Sequence, residues 1–420
     1  MRGFLDRVER LTEKERRNLS ILDTIRRNNE VSRADISKLT DLNIVTVSNY
    51  VSKYVKSKLV FETGLDISSG GRRPELLKLN NEFRYTIGID LGAPHLISDA
   101  SIIGVILDVT GKVVAKEKIK KEKESFEALS TRVIDLVDRL LVKSGIETSL
   151  IHGIGVGIWG VIDRYRGMVR YAVEEEIIVS YTGLLDSLEN RFNLPTIIEH
   201  DATLAAFGEK WSGIGAISSA DNLIFMCSDS SCGLIINGEL YYGASKSAGE
   251  LNLSPPRPSQ EAVALDRCWT SYEYGCCMRS RGLDLSIAAR VRNALKEKPE
   301  DGQIIMKMAG NSPENVTFAM AIEASEAGDE LSRKVIDDAG DYLGTKTAFL
   351  INLFNPEVVV IGRGIEKAGD TFFSAVRKSV RRWGYEESVK IVKILPASLS
   401  EDSVAVGAAA LVTQDFFAKV

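Results

Sequence analysis

Ser32-Arg33-Ala34-Asp35-Ile36-Ser37-Lys38-Leu39, then Asp41-Leu42-Asn43, then Ile44-Val45-Thr46-Val47-Ser48-Asn49-Tyr50-Val51 is the stretch that decides the reading of the N-terminal part. Ser32 is placed as a helix N-cap, with Asp35 at the third helical position. Asp41 suits the left-handed residue of a tight turn, and Asn43 can cap the helix that follows. From Ile44 to Lys56 the apolar positions Val47, Val51, Tyr54 and Val55 share one face. That leaves Thr46, Ser48, Asn49, Tyr50 and Lys53 pointing outward. Two helices joined in this way are a helix-turn-helix, whose second helix can enter the DNA major groove.

The flanking sequence extends that reading. Upstream, Arg16 to Asn28 carries Leu19, Leu22 and Ile25 at amphipathic spacing. Downstream, Leu59 to Gly64 and Leu76 to Leu79 read as two wing strands around Ser68-Ser69-Gly70-Gly71-Arg72-Arg73-Pro74. Glycines permit close backbone approach, and arginines suit a narrow, negative minor groove. The expected DNA contacts are Ser32, Arg33, Thr46, Ser48, Asn49, Tyr50, Lys53, Arg72 and Arg73. A winged helix that binds protein instead remains the alternative.

Charge agrees with a polyanion partner for this segment alone. Residues 1–80 hold 16 Lys and Arg against 11 Asp and Glu, and the rest of the 420 residues 37 against 47. The chain is 44% apolar and 26% charged, as ordinary globular domains are. No apolar run approaches the roughly 18 to 20 residues of a membrane span. The opening MRGFLDRVERLTEKERR is too charged for a signal peptide, so the expected location is the cytoplasm. Five cysteines, odd in number, argue against a disulfide framework.

After the polar hinge Asn80-Asn81-Glu82, Tyr85-Thr86-Ile87-Gly88-Ile89-Asp90-Leu91-Gly92 is a strand running into a glycine turn, with further strands at Ile102 to Val109 and Val113 to Lys118. This strand-turn-strand resembles the first phosphate loop of the actin-like sugar kinases. With the helix-turn-helix and the Gly71-Arg72-Arg73 loop before it, the chain resembles the ROK family (repressors, open reading frames, kinases) over nearly its whole length. The resemblance is to its repressor branch, that of the xylose and N-acetylglucosamine repressors.

The resemblance implies an α/β fold: an N-terminal winged helix-turn-helix over 1–82, then a two-lobed, ribonuclease-H-like, actin-like sugar-kinase fold. The first lobe is expected over 83–205 plus a returning C-terminal helix at about 405–417, and the second over 206–404. Gly153 to Gly160 matches the strand leading to the sugar cleft, with Trp159 where the family usually has Pro. Leu194 to Thr203 matches the strand and turn that carry the kinase general base, at Asp201. His200 and Thr203 stand where the family usually has Asn. Ala248-Gly249-Glu250 matches the segment whose Glu binds sugar hydroxyls, but the Gly-His pair that follows is Asn252-Leu253 here. The ligand contacts so implied are Trp159, Gly160, His200, Asp201, Thr203 and Glu250.

Catalysis requires that a triphosphate be held by glycine-rich backbone turns and Mg²⁺. The family's Gly-Thr after Gly92 is Ala93-Pro94, and its Gly-Thr-Gly-Ile-Gly is Cys227-Ser228-Asp229-Ser230-Ser231, where Asp229 brings a like charge toward an anion. Asn355 to Gly364 and Gly407-Ala408-Ala409 keep the family pattern on the adenosine side, although strand-helix packing needs the same residues. The family's zinc-binding cysteine run is reduced to Cys268, Cys276 and Cys277, so no metal is expected, and a rebuilt three-cysteine site is the alternative. Glu174-Glu175-Glu176 reads as a solvated acidic face, or as a selector of a cationic ligand.

The expectation is a non-enzymatic, cofactor-free regulator. It binds a double-stranded DNA operator as a homodimer or dimer of dimers, represses carbohydrate genes, and answers to a sugar or sugar derivative in the cleft. Two alternatives stand beside it: a bifunctional regulator and ATP-dependent sugar kinase, and a regulator whose cleft no longer binds sugar.

Overall fold

In a computed structural model of the chain, the described residues are 11–65, 75–92, 101–120, 126–163, 168–171, 177–251 and 285–420. Arg72 and Arg73, Ala93-Pro94, Glu174 to Glu176, Asn252-Leu253, Cys268, Cys276 and Cys277 lie outside them.

The head opens with α1 (Glu13–Asn28), started by a capping box. Thr12 Oγ1 accepts from Glu15 N–H at 3.3 Å, and Thr12 N–H donates to the Glu15 carboxylate at 2.7 Å. β1 (Val31–Ser32) leads into α2 (Arg33–Thr40) and α3 (Ile44–Lys56). Asp41 between them is left-handed at φ 54°, and Asn43 Oδ1 accepts from Thr46 N–H at 2.8 Å. β2 (Val60–Leu65) and β3 (Glu75–Leu79) complete an antiparallel sheet of order β1-β3-β2. Ile21, Leu22, Ile25, Ile36, Val47, Val51, Leu59 and Leu77 have no exposed surface, and they are continuous with the body core through Trp211, Phe416 and Phe417.

The first body sheet takes β4 (Tyr85–Asp90), β5 (Ser101–Asp108), β6 (Val113–Lys120), β7 (Ile151–Ile158) and β8 (Thr196–His200). Its order is β8-β7-β4-β5-β6; β4, β5 and β6 are antiparallel neighbours, and β7 and β8 run parallel to β4. α4 (Phe126–Ser144) covers it, and α5 (Asp201–Ser212) follows β8 directly. The second sheet repeats the plan with β9 (Leu223–Cys227), β10 (Ser231–Ile236), β11 (Glu239–Leu240), β12 (Val358–Gly362) and β13 (Lys393–Pro396), in order β11-β10-β9-β12-β13. Two sheets of one topology, each with three antiparallel and two added parallel strands, make a mixed α/β body. α6 (Glu330–Phe354) and α7 (Gly369–Trp383) pack on the second sheet.

The last helix, α8 (Ser403–Lys419), is apolar all round and almost wholly buried, as a helix enclosed by other elements must be. It lies against β4, β7 and α5. A Cβ on Gly407 would strike the Leu204 carbonyl, so α5 and α8 cross backbone to backbone. Glu209 on α5 is buried yet fully satisfied: its carboxylate accepts from Ser398 N–H at 3.0 Å, Leu399 N–H at 2.8 Å and the hydroxyls of Ser398 and Ser403 at 2.6 and 3.0 Å. That tie anchors the entry to α8.

Candidate functional site

The ends of three strands and one helix start converge between the two sheets. This is where open α/β sheets place ligands, because side chains at the carboxyl ends of adjacent strands share one crevice. β4 ends on Asp90, β8 on His200, and α5 begins with Asp201. β12 ends on Gly362, and Arg363 follows at φ 68°, in the left-handed region that residues other than glycine rarely take. Glu250 arrives through a single bridge between its backbone and that of Ser231.

These residues form a chain of charges. The Arg363 guanidinium donates through Nη1 to Asp90 Oδ2 and through Nη2 to Asp201 Oδ2, the latter at 3.0 Å. Asp201 Oδ1 lies 3.5 Å from His200 Nε2, which in turn is 3.1 Å from Glu250 Oε1. Nε2 is not aligned for a good hydrogen bond with either oxygen, so these are charged contacts. Burial opposes the charge on His200, but Glu250 and Asp201 outweigh it and raise its pKa above the ordinary range. Burial opposes charge on Arg363 too, and the two aspartates more than restore it. Burial pushes the Asp90 carboxyl up, against the pull of Arg363 and of the Gly92 N–H at 2.8 Å.

Of the expected ligand contacts, His200, Asp201 and Glu250 meet in this cluster. Thr203 is buried two residues along α5, and Gly160, at φ 116°, follows Trp159 just beyond β7. Arg363 is the group the sequence reading missed, since it was assigned to strand-helix packing. The signal was an arginine set between two glycines at the end of a buried strand.

The segment Cys227 to Ser231 corrects one expectation. Asp229 has no exposed surface and is not a bare charge facing the cleft. Its Oδ2 accepts from the Tyr342 hydroxyl at 2.9 Å and lies 3.5 Å from Lys346 Nζ, which also donates to its carbonyl at 3.0 Å. Ser230 Oγ donates to Cys227 O at 3.1 Å, and burial pushes the Cys227 thiol well up. The turn is filled by buried side chains, with Asp229 engaged by Tyr342 and Lys346 of α6, and it lacks the glycines of a phosphate cradle. Among the described residues no three His, Cys, Asp or Glu side chains are grouped to hold a metal ion.

On the head, Ser32 is buried and its hydroxyl is taken by the cap with Asp35, donating to the carboxylate at 2.6 Å. This corrects its assignment as a DNA contact. Arg33 is held by Glu62 at 2.5 Å and Glu75 at 3.3 Å, bracing α2 against the wing strands. Asn49 and Lys53 are exposed, and Thr46 and Ser48 half-buried. Tyr50 is half-buried as well, packed on the core with Lys53 Nζ 5.4 Å above its ring. Leu39, Ile44 and Val45 stand exposed beside them, an apolar fringe that the periodicity argument passed over.

Among the described residues, polar contacts join the head to the body beside their shared apolar core. Asn18 Nδ2 donates to the main-chain oxygens of Ala418 and Val420 at 3.0 and 2.7 Å, while its Oδ1 accepts from the Tyr54 hydroxyl at 2.7 Å. Arg26 donates to Trp211 O at 2.9 Å and lies 3.9 Å over the Trp211 ring, with Asp23 as its counter-ion at 2.8 Å.

Comparisons with known proteins agree with this architecture. A xylose repressor of Caldicellulosiruptor bescii is 29% identical over 400 residues, 94% of this chain and 95% of the relative. A glucokinase of Halalkalibacterium halodurans is 28% identical over 332 residues, 79% of this chain and 96% of the enzyme. Among solved structures, a ROK family transcriptional regulator, a homologue of the E. coli MLC protein, superimposes with a TM-score of 0.69 at 21% identity, covering 96% and 97% of the two chains; it shares the fold. The ROK family model matches residues 86–415. The chain belongs to the ROK family.

Proposed function

We propose that this protein is a DNA-binding transcriptional repressor of carbohydrate genes, controlled by a sugar or sugar derivative in the crevice around His200, Asp201 and Glu250. One observation carries the reading: similarity to the xylose repressor runs through the head, whereas the glucokinase is nearly exhausted by the body alone. The head is then a winged helix-turn-helix over 1–82. The body is two ribonuclease-H-like lobes, 83–205 with the helix at about 405–417, and 206–404.

In this reading α3 enters the major groove. Asn49 and Lys53 carry polar contacts, and Val45 and Ile44 meet thymine methyls. Arg72 and Arg73 serve the minor groove. One such head offers few base contacts, so the protein works in the cytoplasm as a homodimer or dimer of dimers on a palindromic site.

No phosphoryl transfer belongs to this function. In this reading Asp201 serves as a ligand contact held in place by Arg363 through Oδ2 at 3.0 Å, and the Cys227 to Ser231 turn offers no glycine-rich cradle for a triphosphate. A sugar entering here exchanges hydroxyls for these contacts and shifts α5, and α5 carries Trp211 under the head. Ligand and DNA thereby bias one equilibrium.

The test is a pull-down of sheared genomic DNA by full-length protein, followed by anisotropy on the enriched duplex with xylose, glucose and N-acetylglucosamine. Enrichment of one palindromic motif, released by one of these sugars without ATP, is the expected result. Sugar-dependent ATP hydrolysis that disappears in Asp201→Asn would revive the kinase reading.

A further inference from the structure

Asp90 ends strand β4 and Asp201 begins helix α5, and both are essentially without exposed surface. Two buried carboxylates so close together repel, and each must be compensated. The compensation comes from the opposite lobe. Arg363, its side chain only 6% exposed, sends one terminal nitrogen to each carboxylate. A residue other than glycine sits at φ 68° to do this, flanked by Gly362 and Gly364. Arg363 Nε–H is buried with no hydrogen-bond partner among the described residues.

We infer that the Arg363 guanidinium is a built-in cation standing between Asp90 and Asp201 where a dissociable divalent ion would otherwise bind, so that the crevice takes an uncharged polyol with neither metal nor nucleotide. A pair of carboxylates aimed at one point is the oxygen set that Mg²⁺ and Mn²⁺ select. Here a covalently attached charge fills that point. Its two charged contacts are satisfied within the protein, so a phosphate dianion would have to take the guanidinium from two aspartates. A neutral hydroxyl needs only the spare Nε–H as donor and a carboxylate oxygen as acceptor. The polyol half of the inference rests on the sugar-site reading above; the cation half does not.

The experiment is Mn²⁺ titration of full-length protein, followed by electron paramagnetic resonance, for wild type, Arg363→Gln and the double variant Arg363→Gln with Asp90→Asn. Because it uses neither sugar nor DNA, its failure is distinct from failure of the regulatory reading. Wild type should take up no Mn²⁺ at this site. Arg363→Gln should bind one ion at least tenfold more tightly than wild type and regain with it melting temperature lost by the substitution. The double variant should lose that gain. A folded Arg363→Gln that binds Mn²⁺ no better than wild type overturns the inference.

Should Arg363→Gln not fold, wild type decides through its melting temperature in 10 mM Mg²⁺ and in EDTA. No difference is expected. A Mg²⁺-dependent rise that Asp90→Asn abolishes would overturn the inference. In wild type, a melting shift with a neutral sugar and none with glucose 6-phosphate completes the expected pattern; a larger shift with the phosphate contradicts the polyol half.

Discussion

Asp201 and Trp211 stand at opposite ends of one helix, the first holding Arg363 in the crevice and the second carrying Arg26 of the head. At 1.5 Å per residue the two are about 15 Å apart along the helix axis. Between them the helix crosses α8 backbone to backbone at Gly407. In the proposed reading this helix is the element that links the crevice to the head.

Arg26→Ala removes both the hydrogen bond and the stacked guanidinium, a loss of about 1–3 kcal/mol at a buried, hydrogen-bonded charge. Sugar binding should be retained, while the ratio of operator affinities without and with sugar falls toward one. Anisotropy titrations of the variant at saturating sugar check this; an unchanged ratio places the coupling elsewhere.

Asn18 joins α3, through Tyr54, to the end of α8. Asn18→Leu leaves the buried Tyr54 hydroxyl and two main-chain oxygens without partners, and should cost about 1–3 kcal/mol. In urea unfolding followed by circular dichroism, the head should melt in a separate, earlier step. A single transition at the wild-type midpoint would show the contact to be dispensable.

His200 sets a pH dependence. Its folded pKa is raised by Glu250 and Asp201 above the unfolded value of about 6.5. The stability it supplies is therefore fully present below pH 6.5 and is lost as pH rises through the folded pKa. The melting-temperature advantage of wild type over His200→Gln should be largest near pH 6 and shrink toward pH 8. An advantage that grows with pH would mean that His200 is held neutral.

DNA contacts divide by chemistry. Asn49→Ala and Val45→Ala should relax sequence preference, each by about 1–3 kcal/mol at the bases they meet. Lys53→Ala should instead weaken binding to all sequences alike and reduce the slope of log affinity against log salt by about one. Affinity selections and salt titrations separate the two classes.

Much of this was legible in the sequence because it rests on local chemistry. Ser32, Asp41 and Asn43 do as cap, left-handed turn residue and cap what those residue types do in short segments, and the α3 core face followed from its periodicity. Ser32 was nonetheless assigned to DNA, because spacing does not reveal that a capping hydroxyl is enclosed. What stayed hidden is long-range. The separation between Arg363 and Asp90, or between Asn18 and Ala418, spans most of the chain, and only the closing of two sheets brings them together. Asp229 looked repulsive because its partners Tyr342 and Lys346 lie on a distant helix.

The most direct measurement is the affinity of full-length protein for its selected operator duplex, by fluorescence anisotropy without ATP, across sugars that raise its melting temperature. At least a tenfold loss of affinity with one neutral sugar, abolished in Asp201→Asn, is the predicted result. Constant operator affinity under every sugar that binds would contradict the account.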